Sequence, residues 1–321
     1  MHRQIAGLCM AAMLCATSGA AAAADYPDRP VKIVVSLPPG SGADTTARFI
    51  GKHLTEKFGQ PFVVENKPGA NSFIAARQVA ESAPDGYTMF VASNSPMVTN
   101  AAVFRQLPYD PIKDFVPVAR IARFPMVLAV PASSPYTTLD GLVTAARNAP
   151  GKLNYAAGTP TYQVALELFH ETRGIRAMPV PYKGTSLAMS DLAGGSVDYT
   201  MAEVSAVMPL VRAGKVRALA VGSPERLKEL PGVPTIAETG SKGYEAFAWT
   251  GVFLPAKTPQ AVVDRIAKAV GDLLATQESA RFIETMGGTV FPATPQQFRD
   301  FQVSEIERTR RIVKTANIHQ E

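Results

Sequence analysis

Residues 31–44 read VKIVVSLPPGSGAD, and the fold class turns on them. Residues 31–37 are β-branched and apolar enough for a buried strand, Pro38-Pro39-Gly40-Ser41-Gly42 breaks it, and residues 44–58 carry the spacing of a helix that Asp44 is placed to cap. A strand that passes through a glycine-rich turn into a helix opens a βαβ unit, and ligands of such sheets sit at the carboxyl ends of the strands. The glycines let backbone N–H groups converge, and a helix N-terminus carries roughly half a positive charge, so a carboxylate can be held there without Arg or Lys. By itself the loop reads equally as a tight turn with no ligand. It fits neither GxxxxGK[ST] nor GxGxxG, which argues against nucleotides.

The alternation continues outward. Strands are expected at 63–65 and 87–92 with a helix at 72–82 between them, followed by strand 127–130, helix 139–148, strand 154–157 and helix 162–171. Strands at 177–179, 199–202 and 217–221 enclose a helix at 186–193, a strand at 247–253 leads back, and helices at 259–274 and 295–315 end the chain. The class is α/β, with mostly parallel sheets flanked by helices. Crossing points near Phe124-Pro125 and Trp249-Thr250 divide it into residues 25–124 plus 250–321 and an inserted domain 125–249, and two crossovers make a hinge. A second strand-to-helix loop, residues 156–162 (AAGTPTY), lies in the inserted part. Two such cradles facing one cleft would hold an anion between domains.

The first 24 residues have a basic start at His2 and Arg3, an apolar run from Ile5 to Ala16 and small residues to Ala24, the pattern of a cleaved export signal. The apolar run is shorter than the ~20 residues a spanning helix needs. Both cysteines, Cys9 and Cys15, fall within this segment, so the remaining chain of about 297 residues has no disulfide, thiolate nucleophile or thiolate metal site. The formal charge, +5 for the whole sequence and +4 without Arg3, is spread among acids rather than gathered in a stripe, which argues against nucleic acid and weakly favours an anionic ligand. His53, His170 and His319 each stand alone on a helix or tail and read as surface or partly packed side chains. No spaced metal-ligand set and no GxSxG elbow is present, so no cofactor and no enzymatic activity are expected.

Larger motifs are specific. Residues 26–35 (YPDRPVKIVV), 38–44 (PPGSGAD) and 63–69 (VVENKPG) are followed by 84–87 (PDGY), 109–115 (YDPIKDF), 180–184 (VPYKG), 191–195 (DLAGG), 217–221 (RALAV), 233–235 (VPT) and 249–251 (WTG). In this order and over nearly the whole chain, they resemble the substrate-binding proteins of tripartite tricarboxylate transporters, also called Bug proteins. The resemblance implies a two-domain periplasmic-binding-protein (Venus flytrap) fold that closes on a carboxylate held by the two loops and ordered water. It assigns Gly40, Ser41, Ala43 and Asp44 to the first cradle, with Leu37 as an apolar wall and Ser93 and Asn94 beside it. Gly158, Thr159, Thr161 and Tyr162 form the second cradle, and Tyr182, Lys183 and Gly184 come from the PYKG turn. Glu203 stands where relatives carry an acid that meets a ligand amine or bridging water; capping the next helix is the competing role. This chain departs from the family pattern at Ser41-Gly42 and at Tyr162-Gln163-Val164, and Tyr162 admits an aromatic or longer acid.

The function so implied is a periplasmic, monomeric solute-binding protein that captures a small organic carboxylate and delivers it to the membrane permease subunits of a tripartite tricarboxylate-type transporter. A ligand-sensing module that presents its closed form to a membrane receptor kinase is the alternative.

Overall fold

The computed structural model describes residues 26–182, 184–318 and 320. The expected export segment 1–24 with its two cysteines, Lys183 of the expected site, and His319 lie outside the described residues.

The first half is built on β1 (Val31–Val35), α1 (Gly42–Phe58), β2 (Phe62–Asn66), α2 (Phe73–Ala80) and β3 (Thr88–Ser93). Strand β1 is buried except at Lys32, which pairs with Glu65 of β2 at 2.8 Å. Helix α1 lays Ala47, Ile50 and Leu54 over this sheet and stops at Gly59, whose φ of 72° ends the helix in the left-handed region. After β3 come a π turn (Ser95–Thr99), α3 (Asn100–Val103) and the 17-residue strand β4 (Phe115–Pro131). The second half follows with α4 (Leu139–Asn148), β5 (Asn154–Ala157), α5 (Pro160–Arg173), β6 (Met178–Pro181), α6 (Thr185–Ala193), β7 (Tyr199–Glu203), α7 (Val204–Arg212) and β8 (Val216–Val221). The chain returns through β9 (Phe247–Pro255), α8 (Gln260–Leu274), α9 (Gln277–Thr285), β10 (Thr289–Ala293) and α10 (Pro295–Thr315).

The strand order is β2-β1-β3-β9-β4-β7-β5-β6, with β8 and β10 also on β4. Among the strands, parallel pairing joins β2-β1-β3 and β7-β5-β6, and every pair that includes β4 or β9 is antiparallel, a mixture that a mostly parallel reading leaves out. The cause is that β4 and β9 carry the chain out and back in opposite directions. Residues 115–125 of β4 pair with β9, whereas 126–131 pair with β7 and β8. Only 127–130 was expected as strand, because Pro117 and Pro125 argue against a continuous one. The register of β4 shifts between Pro117 and Ala119, a bulge of the kind that accommodates the first proline, and Pro125 sits where the strand changes partners. There Met126 N–H donates to Ala246 O (3.1 Å), Ala246 N–H to Gly222 O (2.9 Å) and Gly222 N–H to Met126 O (2.7 Å), a closed triangle that knits the crossing together.

Two apolar clusters cover the faces of the first sheet, one beneath α1 and α8 and one around Trp249, Phe253 and Phe298, while a third fills the second half. In this third cluster His170 is 3% exposed, bonds the Tyr199 hydroxyl at 2.7 Å and lies 3.3 Å from Glu167. The surface or partly packed place expected for it is therefore corrected. A fourth, small cluster joins the halves: Ala102 and Val103 of lobe-bridging α3 meet Val164 of α5 and Ile312 and Val313 of α10.

Helix 72–82 was expected to start at Ser72, but Ala70, Asn71 and Ser72 form a left-handed turn with φ of 44°, 50° and 73° before α2 begins. Asn tolerates this region, whereas Ala and Ser are strained by roughly 1–2 kcal/mol each. Part of that strain returns as the greater unfolded freedom of glycine. Substituting Gly at both Ala70 and Ser72 should therefore stabilise the protein by about 1 kcal/mol, a higher midpoint in urea at unchanged slope. A lower midpoint would contradict the strain.

Candidate functional site

The turn after β1 brings Leu37, Gly40, Ser41, Ala43 and Asp44 together at the carboxyl end of the strands. Ser41, not Asp44, is the helix cap: its φ and ψ are extended and its Oγ accepts from Asp44 N–H at 3.3 Å. Asp44, 3% exposed, is the third helical residue and turns its carboxylate back. The Gly40 N–H (2.9 Å) and Arg48 Nε (3.1 Å) donate to its Oδ2, and Asn66 Nδ2 donates to its Oδ1 at 3.0 Å. Burial opposes ionisation of Asp44, but these hydrogen bonds outweigh it and hold the carboxyl below the usual carboxylate range. Asp44 thus sets the loop's shape, and the Gly40 N–H is spent on it. The N–H groups of Gly42 and Ala43, first and second in α1, have no acceptor among the described residues.

Ser93 ends β3 and Asn94 follows it next to this turn, because β1 and β3 run in parallel register with Val35 opposite Val91. The second cradle meets the turn that follows them. Thr159 caps α5, its side chain accepting from Tyr162 N–H, and Pro160 occupies the first helical position, which needs no N–H. Thr161 Oγ1 lies 2.9 Å from Thr99 Oγ1 and 3.1 Å from Ser95 Oγ. Gly158 packs against α6, where an added Cβ would stand 3.2 Å from the Thr185 Cα. A small cavity of about 50 Å³ between the halves is lined by Asn94, Thr99, Thr161, Met126, Glu245 and Arg308. A larger groove of about 700 Å³ lies elsewhere, between residues 101–114 and α10.

Tyr162 OH donates to Glu203 Oε1 at 3.2 Å. Glu203 occupies the cap position of α7, yet its side chain makes no capping bond, so the competing structural role is not the one it plays here. Burial raises the Glu203 carboxyl above its ordinary value, with the Tyr162 bond acting against the rise. A raised carboxyl makes the folded state hold its proton more tightly, so its stabilising effect is full below the unfolded value and is lost as pH climbs through the folded one. Glu203→Gln should therefore melt like wild type near pH 4 and a few degrees higher at pH 8. A gap of equal size at both pH values would sink this assignment.

The PYKG turn is drawn elsewhere in part. Tyr182 donates its hydroxyl to Asp191 of α6 at 2.8 Å and its N–H to Ala157 O at 3.0 Å, so it supports the second cradle from behind. Gly184, φ 137°, precedes α6 at its N-terminus. Sequence reasoning missed Ser95, Thr99, Arg48 and Asn66; the polar run 93–95 was the one signal for the first of these. Among the described residues there is no cluster of three metal-ligating side chains and no helix long and apolar enough to cross a membrane.

This arrangement can bind an anion, and its described residues include no nucleophile–base pair to transform one. The family model of the tripartite tricarboxylate transporter family receptor matches residues 46–318. Protein BugT of Bordetella pertussis is 34% identical over 305 residues, 93% of this chain and 94% of its own. The Rhodopseudomonas palustris protein Rpa4515, solved with adipate, superposes with a TM-score of 0.84 at 36% identity over 92% of this chain and 99% of its own. MatC of the same species, solved with bound malate, gives 0.78 at 31% over 90% and 100%. The chain therefore belongs to the tripartite tricarboxylate transporter receptor family, the Bug-type solute-binding proteins with a periplasmic-binding-protein fold, which are transport receptors and not enzymes.

Proposed function

We propose that this protein captures a small organic carboxylate between its two halves, residues 25–124 plus 250–321 and residues 125–249, and delivers it as a periplasmic monomer to the membrane subunits of a tripartite tricarboxylate-type transporter. The observation that carries the reading is the contact of Thr161, from the second cradle, with Thr99, 2.9 Å away in the turn after β3, which brings the N-terminus of α5 to the end of the sheet that bears the first cradle. Free N–H groups at Gly42 and Ala43 supply donors for one carboxylate, and the second cradle supplies those of Gly158, Thr159 and Thr161. Lys183 stays in the proposed set from its place in the PYKG turn. Adipate on Rpa4515 and malate on MatC support the ligand class. The change of partners along β4 supports the division into halves, with hinge closure on the microsecond to millisecond scale.

Thermal shift and calorimetry against straight-chain dicarboxylates of four to ten carbons, malate, citrate and aromatic acids test the reading. A raised melting temperature with saturable heat is expected for at least one of them. A flat response across all of them would count decisively against it.

A further inference from the structure

Thr250 lies in the stretch where β9 crosses back, is 4% exposed, and its Oγ1 has no hydrogen-bond partner. An unpartnered buried hydroxyl costs folding free energy, and a native structure that keeps one has a reason for it, an ordered water or a bound ligand being among them. The register says which way the side chain faces. Thr250 stands directly opposite Ser93 on β3 and opposite Ala122 on β4. Two residues along, Val252 opposes Val91, and both belong with Ala122 to the apolar cluster that Ala43 and Ala47 of α1 complete. Directly opposed residues share a face and alternate residues keep it, so Thr250 and Ser93 extend the α1 face of the sheet to the carboxyl end of β3. That is the end from which the first two N–H groups of α1 emerge unpartnered.

We propose that Thr250 is a ligand-contacting residue: its hydroxyl, with that of Ser93, forms the floor of the subsite whose roof is the Gly42 and Ala43 N–H groups, and together they hold one carboxylate of the bound acid. This rests on the carboxylate-binding reading above and adds to it a residue from the crossing strand itself. A turn about χ1 exchanges Oγ1 with Cγ2 without moving the backbone, so the hydroxyl can be re-aimed by a change of rotamer alone. A contact on β9 also ties occupancy of the site to the strand that joins the two halves.

Wild type, Thr250→Val and Thr250→Ser are titrated calorimetrically with adipate and with each straight-chain dicarboxylate of four to eight carbons. Val keeps the shape and removes the hydroxyl. The Val variant is expected to bind about tenfold more weakly and the Ser variant within about twofold of wild type, one charge-assisted hydrogen bond being of that size. Without ligand the Val variant should melt no lower than wild type, since it loses an orphaned hydroxyl and no partner. Unchanged affinity in the Val variant overturns the inference, as does a Val variant whose weaker binding is matched by a lower melting temperature without ligand. Failure of wild type to bind any acid of this series overturns the inference alone, a flat response across the whole screen above overturns the carboxylate reading with it, and both show before any residue is changed.

Discussion

Gly251→Ala is expected to lower the melting temperature by roughly 4–10 °C, the equivalent of about 2–3 kcal/mol in a domain of this size. Gly251 sits in β9 between Ala92 of β3 and Arg120 of β4, so its backbone is fixed on both edges. A Cβ built there would stand 3.1 Å from Ala119 O and well inside van der Waals contact of the Phe298 ring. The ring has nowhere to go. Phe298 is fully buried, with Trp249 at 5.4 Å and Phe253 at 4.8 Å between ring centroids. Helix α10 cannot back away either, because Gln302, one turn on, donates its amide to Met97 O and Pro111 O at 3.0 Å each. Phe298→Leu should make room, at a cost of its own from the void left. The double variant is then expected to be more stable than the sum of the single effects predicts, and a double-mutant cycle by thermal melting measures it. Additive effects would mean that the ring does not limit this position.

Why so much of the fold was legible follows from the same economy of contacts. Buried strands and amphipathic helices announce themselves by period, and the expected strands 154–157 and 247–253 and helix 139–148 coincide with or lie within β5, β9 and α4. What stayed hidden is where a local rule yields to its surroundings. Pro117 and Pro125 concealed most of β4, since only a bulge and a change of sheet let a long strand keep them. Pro209 lies inside α7, a nine-residue helix that its own propensities do not announce. The turn at residues 70–72 has no glycine to betray three left-handed residues. In the candidate site, Ser41 and Asp44 are both good capping types three residues apart, and only the contacts of Arg48, Asn66 and Gly40 show which one caps and which one braces the loop. Asn66 arrives from β2, 22 residues from Asp44 in sequence, a pairing that no spacing rule foretells. Thr250 was invisible for the opposite reason: a threonine in a strand is an ordinary β-former, and only its missing hydrogen bond sets it apart.

The N–H groups of α1 cannot be removed by changing side chains, yet one of them can be deleted cleanly. Gly42 is the first helical residue, an added Cβ there meets nothing within 4 Å, and Ser41 before it already has the extended φ of −69° and ψ of 160° that a following proline requires. Gly42→Pro should therefore fold as well as wild type or slightly better, since proline also restricts the unfolded chain. It removes one donor from the anion site at the helix end. If that donor meets the ligand carboxylate, affinity for the tightest acid of the screen falls about 10- to 100-fold, the range of a charge-assisted hydrogen bond. Gly42→Ala is the control, because it adds the same first carbon and keeps the N–H; it should bind within about threefold of wild type. Calorimetric titration of the three proteins decides the matter, with thermal melting as the check on folding. Equal loss in the Ala and Pro variants would place the fault in the added carbon, and no loss in either would place the carboxylate away from the α1 terminus.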